Sequence, residues 1–150
     1  MDSVQHIRKT DLARNTREVL NTVMRGQTAL IESHGKAEAA IIDIVDYLIL
    51  RAAMRYHAQP PQIAVDAGLT DAAVEEASLD LQARYNLVLA YYLADAISLS
   101  RAAELLGLSS FGLRLRFMRL DVPLRLGPAT IEDALAEVET LRELCDGPIG

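Results

Sequence analysis

Two adjacent prolines, Pro60 and Pro61, set the strongest constraint on how this chain can fold. Proline cannot continue an α-helix and favours an extended backbone, so no helix runs through this point. Periodic apolar segments lie on both sides of it. We therefore predict two domains, one over residues 1–57 and one over residues 70–150, joined by a linker over residues 58–69.

The small size of the two predicted domains leads us to expect self-association. The chain has 150 residues, of which 51% are hydrophobic, and this composition excludes a wholly disordered protein. Two domains made from so few residues each bury only a modest core. Because dimerisation adds buried area to such small units, we expect a homodimer or a higher homo-oligomer.

The sequence offers no sign of export or of membrane insertion. Cys145 is the single cysteine, so neither a disulfide within the chain nor a cysteine-based zinc site is expected. The first residues lack the apolar core of a signal peptide, and no apolar stretch is long enough for a membrane span. We expect a cytoplasmic protein without a membrane partner.

Charge is distributed unevenly along the chain, although the net charge is −6. Basic residues slightly outnumber acidic ones up to His57, whereas acidic residues exceed basic ones about twofold beyond it. A local basic patch is sufficient to attract a phosphate backbone, so the negative total does not exclude DNA. The asymmetry indicates that the two halves have different partners.

The first half is predicted to alternate between short strands and helices. A strand over residues 4–8 precedes two short helices, capped at Thr10 or Asp11 and at Thr16, and Gly26 ends the second helix. The apolar pattern of these helices predicts burial of Leu12, Val19, Leu20, Val23 and Met24.

A hairpin and a longer helix follow. Strands over residues 28–33 and 37–44 are joined at His34-Gly35, where glycine can supply the positive φ of a tight turn. Asp46 is then predicted to begin a helix that runs to about Tyr56. Its candidate buried positions are Tyr47, Leu48, Leu50 and Met54.

The second half is predicted to be entirely helical. Residues 70–96, with caps at Thr70 or Ser78, contain a segment that is apolar around most of its circumference and therefore central to a core. A helix capped by Ser100 ends at Gly107, and another begins at Ser109 or Ser110. The pattern Asp121-Val122-Pro123 ends that helix, and an acidic helix is predicted over residues 131–145.

Residues 4–56 resemble the N-terminal domain of the Phd/YefM antitoxin family. The resemblance rests on an ordered series: "DLARN", the "EVL" helix, Gly-Gln before a strand, the "SHGK" hairpin, the "AAII" strand and an Asp-Tyr helix start. It implies an α+β chain whose dimerising sheet-and-helix domain binds palindromic operator DNA. The matching DNA-contacting positions are Arg8, Lys9, Arg14, Asn15, Arg17 and, at the hairpin, Lys36.

The chemistry of these positions suits DNA. A guanidinium can bind phosphate or a guanine edge with two hydrogen bonds, and the Asn15 amide can pair with adenine in the major groove. The alternative is an ordinary solvated helix face that contacts nothing.

Residues 83–141 resemble a small prokaryotic family of uncharacterised predicted antitoxins with a helix-turn-helix-like motif. The resemblance rests on "ISLSRAAELLGLS", in which small alanines, a turn glycine and a following serine are typical of that motif. Phe111, Leu113, Leu115, Phe117 and Leu120 are then expected to be partly core. Arg114, Arg116 and Arg119 are candidates for a second nucleic-acid or partner surface; the alternative is a helical scaffold with a solvated arginine face.

The acidic C-terminal segment is the candidate toxin-binding element, because antitoxins of the Phd/YefM type place the neutralising segment last. An amphipathic helix there can bind a groove with its apolar face. The candidate contacts are Ile131, Leu135, Val138 and Leu141. The alternative is that this helix packs on its own domain.

No pattern of catalytic residues stands out. His6, His34 and His57 lack metal-ligand spacing, and no glycine-rich phosphate loop occurs. We expect a non-enzymatic antitoxin, without a cofactor or metal, that binds operator DNA as a dimer and neutralises a toxin. The resemblance implies a small ribonuclease as that toxin, such as one of the PIN-domain type. A stand-alone transcriptional regulator and an interaction scaffold without DNA binding remain the alternatives.

Overall fold

The fold is mixed α+β, as predicted, with a three-stranded sheet and seven helices in the described residues. The structure is a computed structural model, and the residues it describes are 4–63 and 68–124. In chain order the elements are β1 (Val4–Arg8), α1 (Lys9–Arg14), α2 (Thr16–Met24), β2 (Thr28–Ser33), β3 (Lys36–Ile41), α3 (Ile44–Ala58), α4 (Asp71–Ala77), α5 (Leu81–Leu93), α6 (Leu99–Leu106) and α7 (Ser110–Arg119).

The sheet has the order β1-β2-β3, with β1 parallel to β2 and β2 antiparallel to β3. A parallel pair needs a crossover connection, which α1 and α2 supply. His34 and Gly35 have φ angles of 52° and 76°, which is the backbone of a tight two-residue hairpin turn. The predicted hairpin is thus confirmed, although β3 spans residues 36–41 rather than 37–44.

The sheet packs against α2 through a small group of buried residues, which we call the sheet core. Its members are Ile7, Val19, Val23, Ala29 and Ile31, with Leu12 and Ile41 packed at its margin. Leu20 and Met24 were predicted to be buried as well, but both are exposed. A nine-residue helix on this narrow sheet turns only one row of side chains, Val19 and Val23, fully inward.

Helix α3 begins earlier than predicted. Asp43 is its N-cap, and its carboxylate accepts hydrogen bonds from the backbone N–H groups of Val45 at 2.8 Å and Asp46 at 3.3 Å. Asp46 therefore lies in the first turn rather than at the start. The start of α2 also differs from the prediction: Thr16 donates its hydroxyl to the Leu12 carbonyl at 2.7 Å instead of capping the helix.

The buried face of α3 packs against α5 rather than against the sheet. Leu48 is buried as predicted, but Tyr47 and Met54 are exposed and Leu50 is half-buried. The other buried apolar positions are Ile49, Ala52 and Ala53. These residues belong to the same core as the buried residues of α5, α6 and α7. Helix α3 therefore packs with the helices of the second half, although the sequence groups it with the sheet. The division into domains over residues 1–57 and 70–150 remains a prediction.

Helix α5 lies at the centre of the larger core, which we call the helical core, as its apolar circumference predicts. Tyr92 of α5 and Phe117 of α7 are fully buried, with ring centroids 5.1 Å apart. Ser98, not Ser100, caps α6, and Gly107 ends it in the left-handed conformation with φ of 70°. Within the described ranges, none of the helices has the length and apolar character to cross a membrane.

Candidate nucleic-acid interface

Three of the predicted DNA-contacting residues lie at one end of the sheet. Arg8 is the last residue of β1 and Lys9 the first of α1. Because β1 and β2 are parallel, both strands end there, and Lys36 begins β3 just after the hairpin turn at the same end. Three of the predicted cations are thus brought together by the topology of the sheet.

Arg8 and Lys9 each have a carboxylate partner. Arg8 Nε lies 3.1 Å from Asp11 Oδ2, and Lys9 Nζ lies 2.5 Å from Glu38 Oε2. Glu38 is the extra residue where the β2–β3 register shifts, and a bulge of this kind redirects a side chain. All four side chains are well exposed, and exposed ion pairs contribute only about 0–1 kcal/mol. A phosphate group can therefore replace these carboxylates at low energetic cost.

The junction between α1 and α2 presents Arg14, Asn15 and Arg17. All three residues are exposed, and within the described ranges their side chains form no ion pair or hydrogen bond. Asn15 joins the two helices with φ of −120° and ψ of 33°, and its side chain makes no capping bond. Its amide is therefore available to hydrogen-bond an external ligand.

An acidic cleft of about 270 Å³ lies beside this junction. Its lining includes Asp11, Glu18 and Asn15, together with Gln5, whose Oε1 is buried without a hydrogen-bond partner. Carboxylates repel phosphate, so this cleft itself is unsuited to a nucleic-acid backbone. We refer to Arg8, Lys9, Arg14, Asn15, Arg17 and Lys36 as the basic patch.

Arg116 and Arg119 of α7 have a different place from the one predicted. Arg116 Nη1 lies 2.8 Å from Asp43 Oδ1 and 2.6 Å from Asp46 Oδ1, and Arg119 Nη2 lies 2.6 Å from Asp46 Oδ2. The sequence pointed to these arginines as a candidate ligand surface. The structure instead directs them inward, because the buried Asp46 carboxylate needs positive partners. We call these four residues the charge cluster.

The charge cluster also connects α7 to the turn between α2 and β2. A Cβ atom placed on Gly26 would lie 3.0 Å from Arg119 Nη1, so the guanidinium packs directly on this glycine. Gly26 has a φ of +99°, which a side chain would strain. Burial acts to lower the pKa of Arg116, but its hydrogen bond to Asp46 and the charges of both aspartates raise that pKa above its usual value. Arg116 is thus firmly charged.

The outer face of α7 is apolar. Phe111, Leu115 and Met118 are exposed, whereas Leu113 and Phe117 are buried and Leu120 packs at the core margin. The expectation of partial burial thus fails for Phe111 and Leu115. Arg114 is half-buried on this helix. A helix that reads DNA presents polar side chains to base edges, so this face is poorly suited to a major groove.

Sequence reasoning missed some charged groups. Asp43 could have been recognised as an N-cap, since aspartate before an apolar helix start is a strong capping signal. Arg51 and Arg55 were counted only as part of the basic first half, although α3 presents both on its exposed side. The toxin-binding candidates Ile131, Leu135, Val138 and Leu141 lie outside the described residues.

Comparison with known proteins supplies no relative. No protein-family model matches this chain, no curated protein is similar to it in sequence, and no solved structure matches it. Within residues 4–63 and 68–124, no three histidine, cysteine or acidic side chains form a group that could hold a metal ion. The resemblance to Phd/YefM antitoxins therefore remains a prediction.

Proposed function

We propose that this protein is a cytoplasmic antitoxin that represses its own operon by binding operator DNA as a dimer and that neutralises a cognate toxin. The observation that carries the proposal is the α1–α2 junction, where Arg14, Asn15 and Arg17 are exposed without partners in the described structure. Arg8 and Lys9 lie at the start of the same short helix, only six residues long. Cations concentrated in this way suit a phosphate backbone.

Dimerisation gives the basic patch its function. One patch supplies few phosphate contacts, whereas two patches related by twofold symmetry can bind two half-sites of a palindrome. Exposed apolar side chains on the same strand and helices support self-association: Leu20 and Met24 on α2, and Val4 at the start of β1. Strand β3 also exposes its alanines. A second copy covering these side chains would complete the small sheet core.

Neutralisation is assigned to the C-terminal segment. Its apolar positions Ile131, Leu135, Val138 and Leu141 would contact the toxin, and its carboxylates would meet basic residues of a ribonuclease active site. The proposal includes no catalysis and no cofactor.

A salt series of DNA binding tests the proposal. The full chain is titrated onto a fluorescent duplex from upstream of its own coding region, and anisotropy is measured at several salt concentrations. Each phosphate contact contributes about 0.9 to the slope of log K against log salt. If Arg14 and Arg17 each contact one phosphate, R14A/R17A should lower the magnitude of that slope by about 3 to 4 per dimer. The matched control R51A/R55A removes two exposed arginines elsewhere and should leave the slope unchanged.

Either of two results would refute DNA binding through the patch: no binding even at low salt, or equal slopes for the two double variants. Co-expression with the product of the neighbouring reading frame, followed by co-purification, tests the toxin. Operator binding without any toxic neighbour would identify a stand-alone regulator instead.

A scaffold without DNA binding is the second candidate. Two observations favour it: Arg8 and Lys9 already have carboxylate partners, and the cleft beside Asn15 is acidic. In that case R14A/R17A would change no DNA-dependent signal, because there would be none, while the chain would still co-purify with a protein partner.

A further inference from the structure

Helices α3 and α5 form a groove that none of the functions above uses. Its lining in the described residues is Arg51, Met54, Arg55 and Ala58 of α3 and Asn86 of α5, and its volume is about 480 Å³. Met54 is 71% exposed. An unbranched apolar side chain left open to water between two arginines indicates a surface that takes a partner with both apolar and acidic groups.

Among the described residues, the charged side chains that line the groove are all positive. Arg55 forms no ion pair with any described residue, and Arg51 donates from Nη1 to the Tyr47 hydroxyl at 3.1 Å. The Arg51 guanidinium also lies 5.9 Å from the centre of the Tyr47 ring. No carboxylate is among the described residues that line the groove. Tyrosine, arginine and methionine together are typical of protein interfaces rather than of solvated helix faces.

We propose that the groove binds the acidic C-terminal segment of the same chain, residues 131–145. The segment has the complementary composition: apolar residues recur at Ile131, Leu135, Val138, Leu141 and Leu144, and carboxylates accompany them at Glu132, Asp133, Glu137, Glu139 and Glu143. The apolar row would cover Met54, and the carboxylates would pair with Arg51 and Arg55.

The path of the chain allows this contact. The Tyr92 hydroxyl donates to the Pro123 carbonyl at 3.0 Å, so the described chain ends next to α5. Tyr92 and Asn86 are six residues apart on that helix, which is about 9 Å along its axis. Residues 125–130 can span up to about 20 Å when extended. Residue 131 is therefore within reach of the groove.

Docking in the groove would regulate toxin neutralisation. This regulatory consequence rests on the proposed function, whereas the docking itself does not. The same apolar row is the candidate toxin contact, so toxin and groove compete for it. Free antitoxin would then hold its neutralising segment on its own helices and release it only to a toxin that binds more tightly.

The native Cys145 provides a direct test in the full chain. A nitroxide attached to this single cysteine broadens NMR signals of nearby amides. We expect broadening along residues 51–58 and at Asn86 at low salt, and its loss in about 1 M salt, where the screening length is about 3 Å. The double variant R51E/R55E should abolish it. R14E/R17E, which makes the same charge change on the basic patch, should leave it intact.

A second variant shows whether R51E/R55E acts by preventing docking or by disrupting the structure of the groove. E137K/E139K alters only the segment and should also abolish the broadening, while circular dichroism confirms the fold of each variant. Broadening centred elsewhere, unaffected by R51E/R55E, or seen only between separately labelled chains would overturn docking within the chain. Loss of duplex binding by R51E/R55E would assign the groove to DNA and also overturn it. Failure of R14A/R17A to weaken duplex binding would refute the proposed function but not the docking.

Discussion

Replacing Asp46 with asparagine measures how strongly buried charge holds α7 against the start of α3. Asp46 is 4% exposed, and its two oxygens accept hydrogen bonds from different arginines, Oδ1 from Arg116 and Oδ2 from Arg119, each at 2.6 Å. Asparagine has the same shape but only one oxygen. One guanidinium would therefore face an NH₂ group, donor against donor, and the negative charge that both arginines share would be lost.

The surroundings determine the size of the effect. Removing one partner from a buried ion pair costs about 3–5 kcal/mol, because the remaining charge stays desolvated. The side chains of Arg116 and Arg119 are 22% and 23% exposed, so some water reaches them, and Arg116 keeps Asp43 at 2.8 Å. We therefore expect D46N to lower the free energy of unfolding by about 3 kcal/mol, the lower end of that range.

Urea denaturation followed by circular dichroism measures this loss, and D71N is its matched control. Asp71 also lies in the first turn of a helix and also contacts an arginine, Arg101, at 2.6 Å, but its side chain is 79% exposed. Exposed pairs contribute about 0–1 kcal/mol, so D71N should lower the stability by less than 1 kcal/mol. The comparison holds the chemical change constant and varies the burial. Equal losses in the two variants, with unchanged urea dependence, would refute the reasoning.

Other positions give sharp tests of the fold. Burial raises the pKa of Tyr85 above its usual 10.0. The neutral phenol therefore stabilises the fold fully below that value, and this contribution is lost as pH rises through the raised pKa. Y85F should flatten the alkaline fall in unfolding free energy, and an unchanged fall would contradict this linkage. A Cβ on Gly112 would lie 2.8 Å from Ser109 Oγ, the atom that caps α7. Alanine has a higher helix propensity than glycine by about 1 kcal/mol, so G112A should stabilise the protein by that amount only when S109A removes the clash. Zero coupling between the two substitutions in a double-mutant denaturation cycle would contradict this clash. L20E/M24E should yield a folded monomer in sedimentation experiments, and a persisting oligomer would place the dimer interface elsewhere.

Local backbone chemistry made parts of the fold predictable. Gly35 indicated the hairpin because the turn needs positive φ, and Ser109 and Gly107 indicated helix limits through capping. The packing of α3 was not predictable in the same way. Its pattern shows that the helix has a buried side but not which element covers it, and Ala52 and Ala53 at the contact with α5 carry a weaker apolar signal than the exposed Met54.

The residues of the candidate site likewise differ in how far the sequence could predict their environment. Exposure of Arg14 and Arg17 follows from the polar face of short helices, which the sequence displays directly. The inward direction of Arg116 and Arg119 depends on Asp43 and Asp46, about seventy residues earlier in the chain. Only the folded structure reveals that an arginine's counter-ion lies so far away in sequence.

The two cores differ greatly in size, and this difference sets where the molecule opens first. Among residues 4–63 and 68–124, the sheet core contains five buried residues and the helical core nineteen. Local opening requires less free energy where less apolar surface is buried, so backbone amides of β1 and β2 should exchange with deuterium well before those of α5. Any ligand that binds only the closed sheet, whether a second subunit or a duplex, slows that exchange in proportion to its occupancy. Deuterium uptake at β1 is therefore a gauge of binding that does not require the ligand to be known.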